Sequence, residues 1–180
     1  GAFWADDIAT DLGVDLSLLR DRFFQPFWDA IVIGRRELIP TLESCMPKIA
    51  PSVSAKALMD YWFKNDSRLN LALLDEVKQL KKQGIQIYLA TNQEHQRAAY
   101  IMDVLGLSQH VDGLFYSAEL GAKKPDHVFF ETCQQRLARD PEELILVDDS
   151  QTNIRGALAA GWRAVLWTSS SKLSAELNLT

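Results

Sequence analysis

The sequence is poor in cysteine and histidine, and neither is spaced as in a metal site. The chain of 180 residues has two cysteines, Cys45 and Cys133, which lie far apart and form no Cys-x-x-Cys motif. The three histidines share no spacing typical of metal ligands; they are His95, His110 and His127. A disulfide framework and a zinc site are not indicated, and we expect two reduced, buried thiols in a cytoplasmic protein.

Long apolar runs and basic clusters are also missing. No segment approaches the roughly 18 uninterrupted apolar residues that a membrane-spanning helix requires, and no charged region followed by an apolar signal segment opens the sequence. The formal net charge is −5, from 19 lysines and arginines against 24 acidic residues, and basic residues adjoin at most in pairs. We therefore expect no nucleic-acid partner and no membrane partner.

The two parts of the chain differ in their hydrophobic pattern. Up to about residue 66 the apolar residues have helical spacing, and prolines and a glycine divide the segment into short helices. From there onward, helical segments alternate with short apolar strands. The four predicted strands are IQIYLA, GLFYSA, LILV and AVLW. This alternation predicts an α/β fold with a Rossmann-like parallel sheet core and helices on both faces, preceded by a small helical unit.

Two motifs at the edge of the predicted sheet carry residues suited to binding an anion. Thr91 and Asn92 follow the first strand and precede a helix, where the helix dipole favours negative charge, although they would serve equally as an ordinary helix cap. Lys124 stands before Pro125 in GAKKPD, and Pro125 is predicted in the first turn of a helix. A cation there could neutralise a phosphate, although an isolated lysine is more often a solvated surface charge.

An acidic pair ends the third predicted strand. In LILVDDSQTN, Asp148 and Asp149 follow four apolar residues, although aspartate is depleted in strands and rarely buried without a partner. A bound cation would offset that cost, and Mg²⁺ prefers such oxygen ligands. Asn153, four residues after Asp149, is expected to orient that carboxylate. Alternatively, Asp149 or Ser150 caps the helix and Asp148 bonds to the backbone.

The three motifs together resemble those of the haloacid dehalogenase superfamily. They read, in chain order, IYLATN, GAKKPD and LILVDDSQTNIRGALAAG. The resemblance runs from Leu69 to about Thr168, and the helical first third is similar to the cap that is inserted into the core of the superfamily's first subgroup. It implies a helical cap at residues 1–66 and an α/β core at residues 67–180.

The resemblance also implies a function for these residues. Such a protein is expected to be a Mg²⁺-dependent phosphohydrolase whose partner is a small phosphorylated metabolite. Thr91 and the backbone N–H of Asn92 would bind the phosphoryl oxygens, and Lys124 would neutralise the phosphate and the nucleophile. Asp149, with Asp148, would hold Mg²⁺. Thr91, Lys124 and Asp149 are thus the expected catalytic residues.

One motif of the superfamily is not found. Its first motif, Asp-x-Asp at the end of the first strand, supplies the nucleophile and an aspartate that acts as acid and base. The nearest match is DDIAT, but Ile8 stands where the second aspartate belongs, and the spacing of Ile8, Leu12 and Leu16 favours a helix, so Asp6 is not expected to be the nucleophile. We expect the native polypeptide to continue upstream of Gly1 with a strand that carries Asp-x-Asp, and these 180 residues alone to be inactive.

Three other functions remain open at the level of sequence. A 2-haloacid dehalogenase of the same superfamily also uses an aspartate nucleophile but needs no metal, which the acidic pair disfavours. A phosphosugar mutase would share every motif. A non-catalytic phosphate- or partner-binding protein would be favoured if no upstream Asp-x-Asp exists. The sequence does not identify the substrate or the oligomeric state.

Overall fold

The protein is described by a computed structural model that covers residues 3–177. Residues 3–66, the described part of the helical unit, contain helices and no strand. Its helices are α1 Ile8–Leu12, α2 Leu16–Leu19, α3 Gln25–Val32, α4 Leu38–Ile49 and α5 Ala55–Asn65, with a π-helical turn at Arg20–Phe24. Side-chain caps fix two of the starts: Asp15 accepts the Ser17 N–H at 2.8 Å, and Ser54 accepts the Ala57 N–H at 3.1 Å.

The helical unit is built around aromatic side chains. Phe23 and Phe63 are fully buried, and Trp62 stacks on Trp4 with ring centroids 5.4 Å apart. Phe24 meets Trp62 edge-on at the same centroid distance, an arrangement that suits the charge distribution of aromatic rings. These rings therefore form a core of the unit's own.

Helices and parallel strands alternate in the rest of the chain, as the sequence predicts. The strands are β1 Tyr88–Thr91, β2 Gly113–Tyr116, β3 Ile145–Asp148 and β4 Arg163–Leu166. The helices are α6 Leu71–Lys82, α7 His95–Ala99, α8 Ser117–Leu120, α9 His127–Leu137, α10 Gln151–Ala159 and α11 Leu173–Glu176. The predicted fold class, a Rossmann-like α/β core with helical elements, is confirmed. Within residues 3–177, no helix has the length and apolar character that crossing a membrane requires.

The four strands form two parallel pairs. β1 pairs with β2 with Thr91 opposite Tyr116, and β3 pairs with β4 with Asp148 opposite Leu166. Among the described strands, neither β1 nor β3 has a partner on its second side. Each therefore presents unpaired N–H and C=O groups along one edge, which folded proteins usually cover.

Three local predictions differ from the structure. The second strand ends at Tyr116, and the last two residues of GLFYSA, Ser117 and Ala118, begin α8 instead. The first strand begins at Tyr88 rather than Ile85. At Ile87 the carbonyl accepts the Asp112 N–H at 2.7 Å, but the Ile87 N–H donates to the Asp112 carboxylate, also at 2.7 Å, rather than to a backbone carbonyl. Placing Pro125 in the first turn of a helix is wrong. α9 begins at His127, and Pro125 lies in a turn closed by a hydrogen bond from the N–H of Asp126 to the carbonyl of Lys123 at 2.8 Å.

The helical unit meets the core where α3 ends. The Ser117 hydroxyl, fully buried at the start of α8, donates to the Val32 carbonyl at 2.5 Å. Gly34 follows with a φ of +74°, and a Cβ placed on it would lie 2.2 Å from the carbonyl oxygen of Ala118. This position accepts only glycine, because both the backbone conformation and the close approach exclude a side chain.

Replacing Gly34 by alanine should therefore lower the free energy of unfolding by about 1–3 kcal/mol more than replacing Gly13 by alanine. Gly13 is the matched control: its φ is +66°, but a Cβ there would meet nothing within 4 Å. Gly13→Ala carries only the cost of the left-handed backbone. Urea unfolding of both variants gives the two values, and equal values would contradict the close packing of Gly34 on Ala118.

Candidate active site

The candidate residues gather at the carboxyl ends of two strands. Thr91 is the last residue of β1 and Asp148 the last residue of β3. Lys124 belongs to the turn before α9, and it reaches this edge of the sheet through contacts with Asn92 and Asp148. Parallel α/β folds bind ligands at this edge, where helix N-termini leave N–H groups unpaired.

A buried ion pair joins the second and third of the three sequence motifs, GAKKPD and LILVDDSQTN. The Lys124 Nζ lies 2.5 Å from the Asp148 Oδ2, and each side chain is only 8% exposed. The other oxygen of Asp148 accepts hydrogen bonds from the Ser150 N–H at 2.8 Å and from the Asn153 amide at 3.0 Å. The carboxylate of Asp148 is therefore fully engaged by groups of the protein.

These contacts keep Asp148 ionised. Burial alone would raise the pKa of its carboxyl, because a desolvated charge is unfavourable. The hydrogen bonds from Lys124, Ser150 and Asn153, together with the charge of Lys124, outweigh burial and hold the pKa of Asp148 below its ordinary value. The site thus contains a fixed ammonium and a fixed carboxylate in contact.

The side chain of Asn92 holds the backbone of Lys124. Its amide Nδ2 donates to the Lys124 carbonyl at 2.8 Å, and its Oδ1 accepts the Lys124 N–H, also at 2.8 Å. Both ends of this side chain are therefore committed to Lys124. Only the backbone N–H of Asn92 is left for the phosphate-binding role that the sequence predicts.

Thr91 and Asp149 are the two candidate side chains without such commitments. Asp149 is exposed, Thr91 is half-buried, and neither side chain forms a hydrogen bond or ion pair with any residue between 3 and 177. A hydroxyl and a carboxylate at this edge of the sheet are open to a ligand.

The expectation that Asn153 orients Asp149 is wrong. The Asn153 amide donates to Asp148 at 3.0 Å, on the same oxygen that accepts the Ser150 N–H, and the Ser150 hydroxyl accepts the Asn153 N–H at the start of α10. The two neighbouring aspartates therefore differ in role: Asp148 binds Lys124, and Asp149 faces outward. That both aspartates hold a metal stays a prediction; of the two, Asp149 is the one whose oxygens make no contact with other residues between 3 and 177.

The donors present suit Mg²⁺ in kind but not in number. Carboxylate oxygen is its preferred protein ligand, and Asp149 provides one exposed group. Across the part of the chain that the structure describes, however, no three His, Cys, Asp or Glu residues cluster as a metal site. A Mg²⁺ ion at Asp149 would need further oxygens, from water, phosphate or another segment of the protein.

Gly156 contributes to the site in a way that the sequence analysis missed. A Cβ at this position of α10 would lie 2.6 Å from the Pro125 carbonyl oxygen and 2.9 Å from the Phe130 ring. The helix can therefore pack directly against the turn that carries Lys124. The available signal was a glycine in the middle of a predicted helix, which usually has a packing reason.

Comparison with known proteins gives a family and a fold. Residues 8–161 match a family model described as haloacid dehalogenase-like hydrolase. The ribulose-1,5-bisphosphate 5-phosphatase of Halopiger xanaduensis is 32% identical over 125 residues, which cover 67% of this chain and 52% of that protein. Phosphoglycolate phosphatase 1 of Pseudomonas aeruginosa is 27% identical over 96 residues, or 53% of this chain and 35% of that protein.

Solved structures agree on the fold. One is a haloacid dehalogenase (HAD) family enzyme from Bacteroides thetaiotaomicron in complex with magnesium and inorganic phosphate. It superposes with a TM-score of 0.71 at 16% identity, and the match covers 90% of this chain and 91% of that one. A HAD-like family hydrolase from Porphyromonas gingivalis gives 0.76 at 14% identity, over 97% and 88%. At these identities the likeness shows the fold alone. The chain spans about half the length of the first curated relatives that it matches.

Proposed function

Because the chain belongs to the haloacid dehalogenase-like hydrolase family, we propose that it carries most of the active site of a phosphohydrolase that acts on a small phosphomonoester. The observation that supports this most is the buried Lys124–Asp148 pair at the carboxyl ends of the strands, with Thr91 and Asp149 left open beside it. The relatives named as phosphatases of ribulose bisphosphate and phosphoglycolate favour a small phosphorylated metabolite as substrate. A cytoplasmic location remains a prediction of the sequence.

The residues in hand would bind and stabilise the transferring phosphoryl group. The Thr91 hydroxyl and the Asn92 N–H donate to phosphoryl oxygens, and the Lys124 ammonium offsets the negative charge of phosphate and nucleophile. Phosphoryl transfer depends mainly on such positioning and charge neutralisation. Because Asp148 holds the Lys124 ammonium in place, little reorganisation is needed when the substrate enters.

The nucleophile is proposed to come from a strand that precedes Gly1 in the native polypeptide. β1 and β3 each have one unpaired edge among the described residues, and a parallel strand between them would cover both. An aspartate at the carboxyl end of that strand would stand between Thr91 and Asp148. Its carboxylate oxygen would form a bond to phosphorus as the bond to the leaving alcohol breaks, and water would then hydrolyse the aspartyl-phosphate.

Mg²⁺ is the proposed cofactor, and Asp149 the residue of this chain that would bind it. When bound, the ion would neutralise phosphate charge and orient the phosphoryl oxygens. The upstream aspartates and the phosphate would supply the remaining oxygens. Asp148 takes part by holding Lys124 rather than by offering a free oxygen to the ion.

Replacing Asp149 by asparagine tests this proposal. In the native polypeptide, assayed with Mg²⁺ on a panel of small phosphomonoesters, we expect kcat to fall by at least about 100-fold while the protein still unfolds cooperatively, because the change removes a metal ligand and leaves the buried pair intact. Asp103→Asn, at an exposed carboxylate on the helical turn 100–104, is the control and should keep full activity.

Other outcomes of the same assay separate the alternatives. Full activity in Asp149→Asn would contradict the metal role. Activity on 2-haloacids without Mg²⁺ would identify a dehalogenase, and retention of a bisphosphate intermediate would identify a mutase.

A non-catalytic phosphate-binding protein is the second candidate. It is favoured by the fact that residues 3–177 offer no third acidic ligand near Asp149. If the native polypeptide turns over no phosphomonoester yet binds inorganic phosphate, this second candidate is the function.

A further inference from the structure

We propose that Asn92 is a positioning residue: its side chain fixes the backbone of Lys124 and thereby places the Lys124 ammonium beside Asp148. The catalytic consequence rests on the phosphohydrolase proposed above. The positional claim stands on the geometry by itself. The side chain of Asn92 is not expected to touch the substrate.

The hydrogen bonds of Asn92 pair Lys124 as a neighbouring strand would. The planar amide donates to the Lys124 carbonyl and accepts the Lys124 N–H, both at 2.8 Å. It joins residues 32 positions apart in the chain, at a point where no β-ladder exists. Within the described chain, the Lys124 N–H has no other acceptor. Asn92 is thus the contact that fixes where the Lys124 side chain starts.

Fixing both ends of a lysine matters because its side chain is long and flexible. The start of the Lys124 side chain is set by Asn92, and its ammonium is bound to Asp148, which Asn153 and the Ser150 N–H orient. Two asparagines therefore hold the two partners of one ion pair. Without Asn92, the turn could shift and carry the Lys124 side chain with it, and a displacement of about 1 Å near reacting atoms can cost on the order of 100-fold in rate.

Neither aspartate nor alanine reproduces this contact. Aspartate keeps an acceptor for the Lys124 N–H but presents a second oxygen to the Lys124 carbonyl, so one of the two hydrogen bonds is lost. Alanine loses both. Asn70, whose side chain accepts the Leu73 N–H at 3.1 Å as the cap of α6, offers a matched asparagine that contacts none of the candidate site residues.

A double-mutant cycle in the native polypeptide tests the inference. We expect Asn92→Ala to lower kcat/KM by about 10–100-fold in the presence of Lys124 and by less than about 2-fold in the Lys124→Met background, because Asn92 acts only through Lys124. Asn70→Ala should leave kcat/KM unchanged in both backgrounds. An equal loss with and without Lys124 would overturn the inference.

Hydrogen exchange gives a readout that does not depend on activity. By NMR, the Lys124 amide should exchange faster in Asn92→Ala than in the wild-type protein or in Asn70→Ala, with Asn92→Asp between them. Unchanged Lys124 protection in both Asn92 variants would overturn the positional claim. If the wild-type protein hydrolyses no phosphomonoester, the proposed function fails, and this exchange measurement alone decides the inference.

Discussion

Replacing Lys124 by methionine is expected to lower the free energy of unfolding by about 3–5 kcal/mol and to lower the proposed activity by about 100–1000-fold, to a level that remains measurable. The substitution leaves the Asp148 carboxylate in a position that is 8% exposed, without the cation 2.5 Å away that offsets its burial. Removing one member of a buried pair is costly for this reason, because an uncompensated charge remains. Urea unfolding at neutral pH, followed by circular dichroism, measures the change.

The adjacent lysine provides the control. Lys123 pairs with Asp29 at 2.7 Å, but the Asp29 side chain is 90% exposed, so water competes for both charges. Lys123→Met should therefore cost no more than about 1 kcal/mol. Combining Lys124→Met with Asp148→Asn should recover part of the lost stability, since the second change removes the unpaired charge. Equal costs at the two lysines would contradict a buried pair.

The difference in stability between the wild-type protein and Lys124→Met should also depend on pH. Because the folded protein lowers the pKa of Asp148, the ionised carboxylate contributes stability that is present above the pKa of an unfolded aspartate, about 3.9. That stability is lost as the pH falls through the lower pKa of folded Asp148. In Lys124→Met this acid-side loss should shrink, because the ammonium that favours ionisation is gone. Urea midpoints measured between neutral and strongly acidic pH will show the difference.

The fold was predictable because the strands and helices of the core have different hydrophobic periods. All four strands were predicted close to their observed positions, and the three motifs identified the family that the family match then gave. The errors lie at the ends of elements, where single contacts set the boundary. The Ile87 N–H donates to the side chain of Asp112, 25 residues later, and a local turn from Lys123 to Asp126 keeps Pro125 out of α9. The extent of the helical unit as a cap remains a prediction.

That the candidate residues lie at one edge of the sheet was predictable, but their contacts with one another were not, and their roles remain predictions. The sequence places Thr91, Lys124 and Asp148 after strands or before helices, and the topology then brings them to one edge. It does not reveal which aspartate Lys124 binds, because the direction of a side chain at a strand end is set by the turn that follows. The pairing of Asn92 with Lys124 was likewise hidden, since 32 residues separate them.

Replacing Arg97 by methionine is expected to lower the free energy of unfolding by about 3 kcal/mol. It should also loosen residues 63–70, the segment in which the chain passes from the helical unit into the core. Arg97 is only 6% exposed, and its guanidinium donates to the Phe63 carbonyl at 2.8 Å, the Asp66 carbonyl at 2.6 Å and the Ser67 hydroxyl at 3.0 Å. These acceptors lie at the end of α5 and just after it. Methionine would leave both carbonyls without their charged donor.

Burial shapes the electrostatics of this contact. It lowers the pKa of Arg97, while the negative charges of Asp66 and, to a smaller extent, Glu94 oppose that change. The ring faces of Phe63 and Tyr100 also lie 5.1 and 5.4 Å from the guanidinium carbon, distances at which an aromatic face attracts a cation. Arg97→Lys keeps the charge but not the planar set of donors, so we expect it to lose about half as much stability as Arg97→Met.

Limited proteolysis distinguishes a local effect from a global one. Cleavage within residues 63–70 should become faster in Arg97→Met than in the wild-type protein under conditions where both remain folded, because the carbonyls that Arg97 holds belong to this segment. Arg155 is exposed on α10, and within residues 3–177 its guanidinium makes one hydrogen bond, to the Thr152 hydroxyl, so Arg155→Met should change neither the stability nor the cleavage. An unchanged cleavage rate in Arg97→Met would mean that apolar packing around Phe63, rather than the guanidinium, holds residues 63–70 in place.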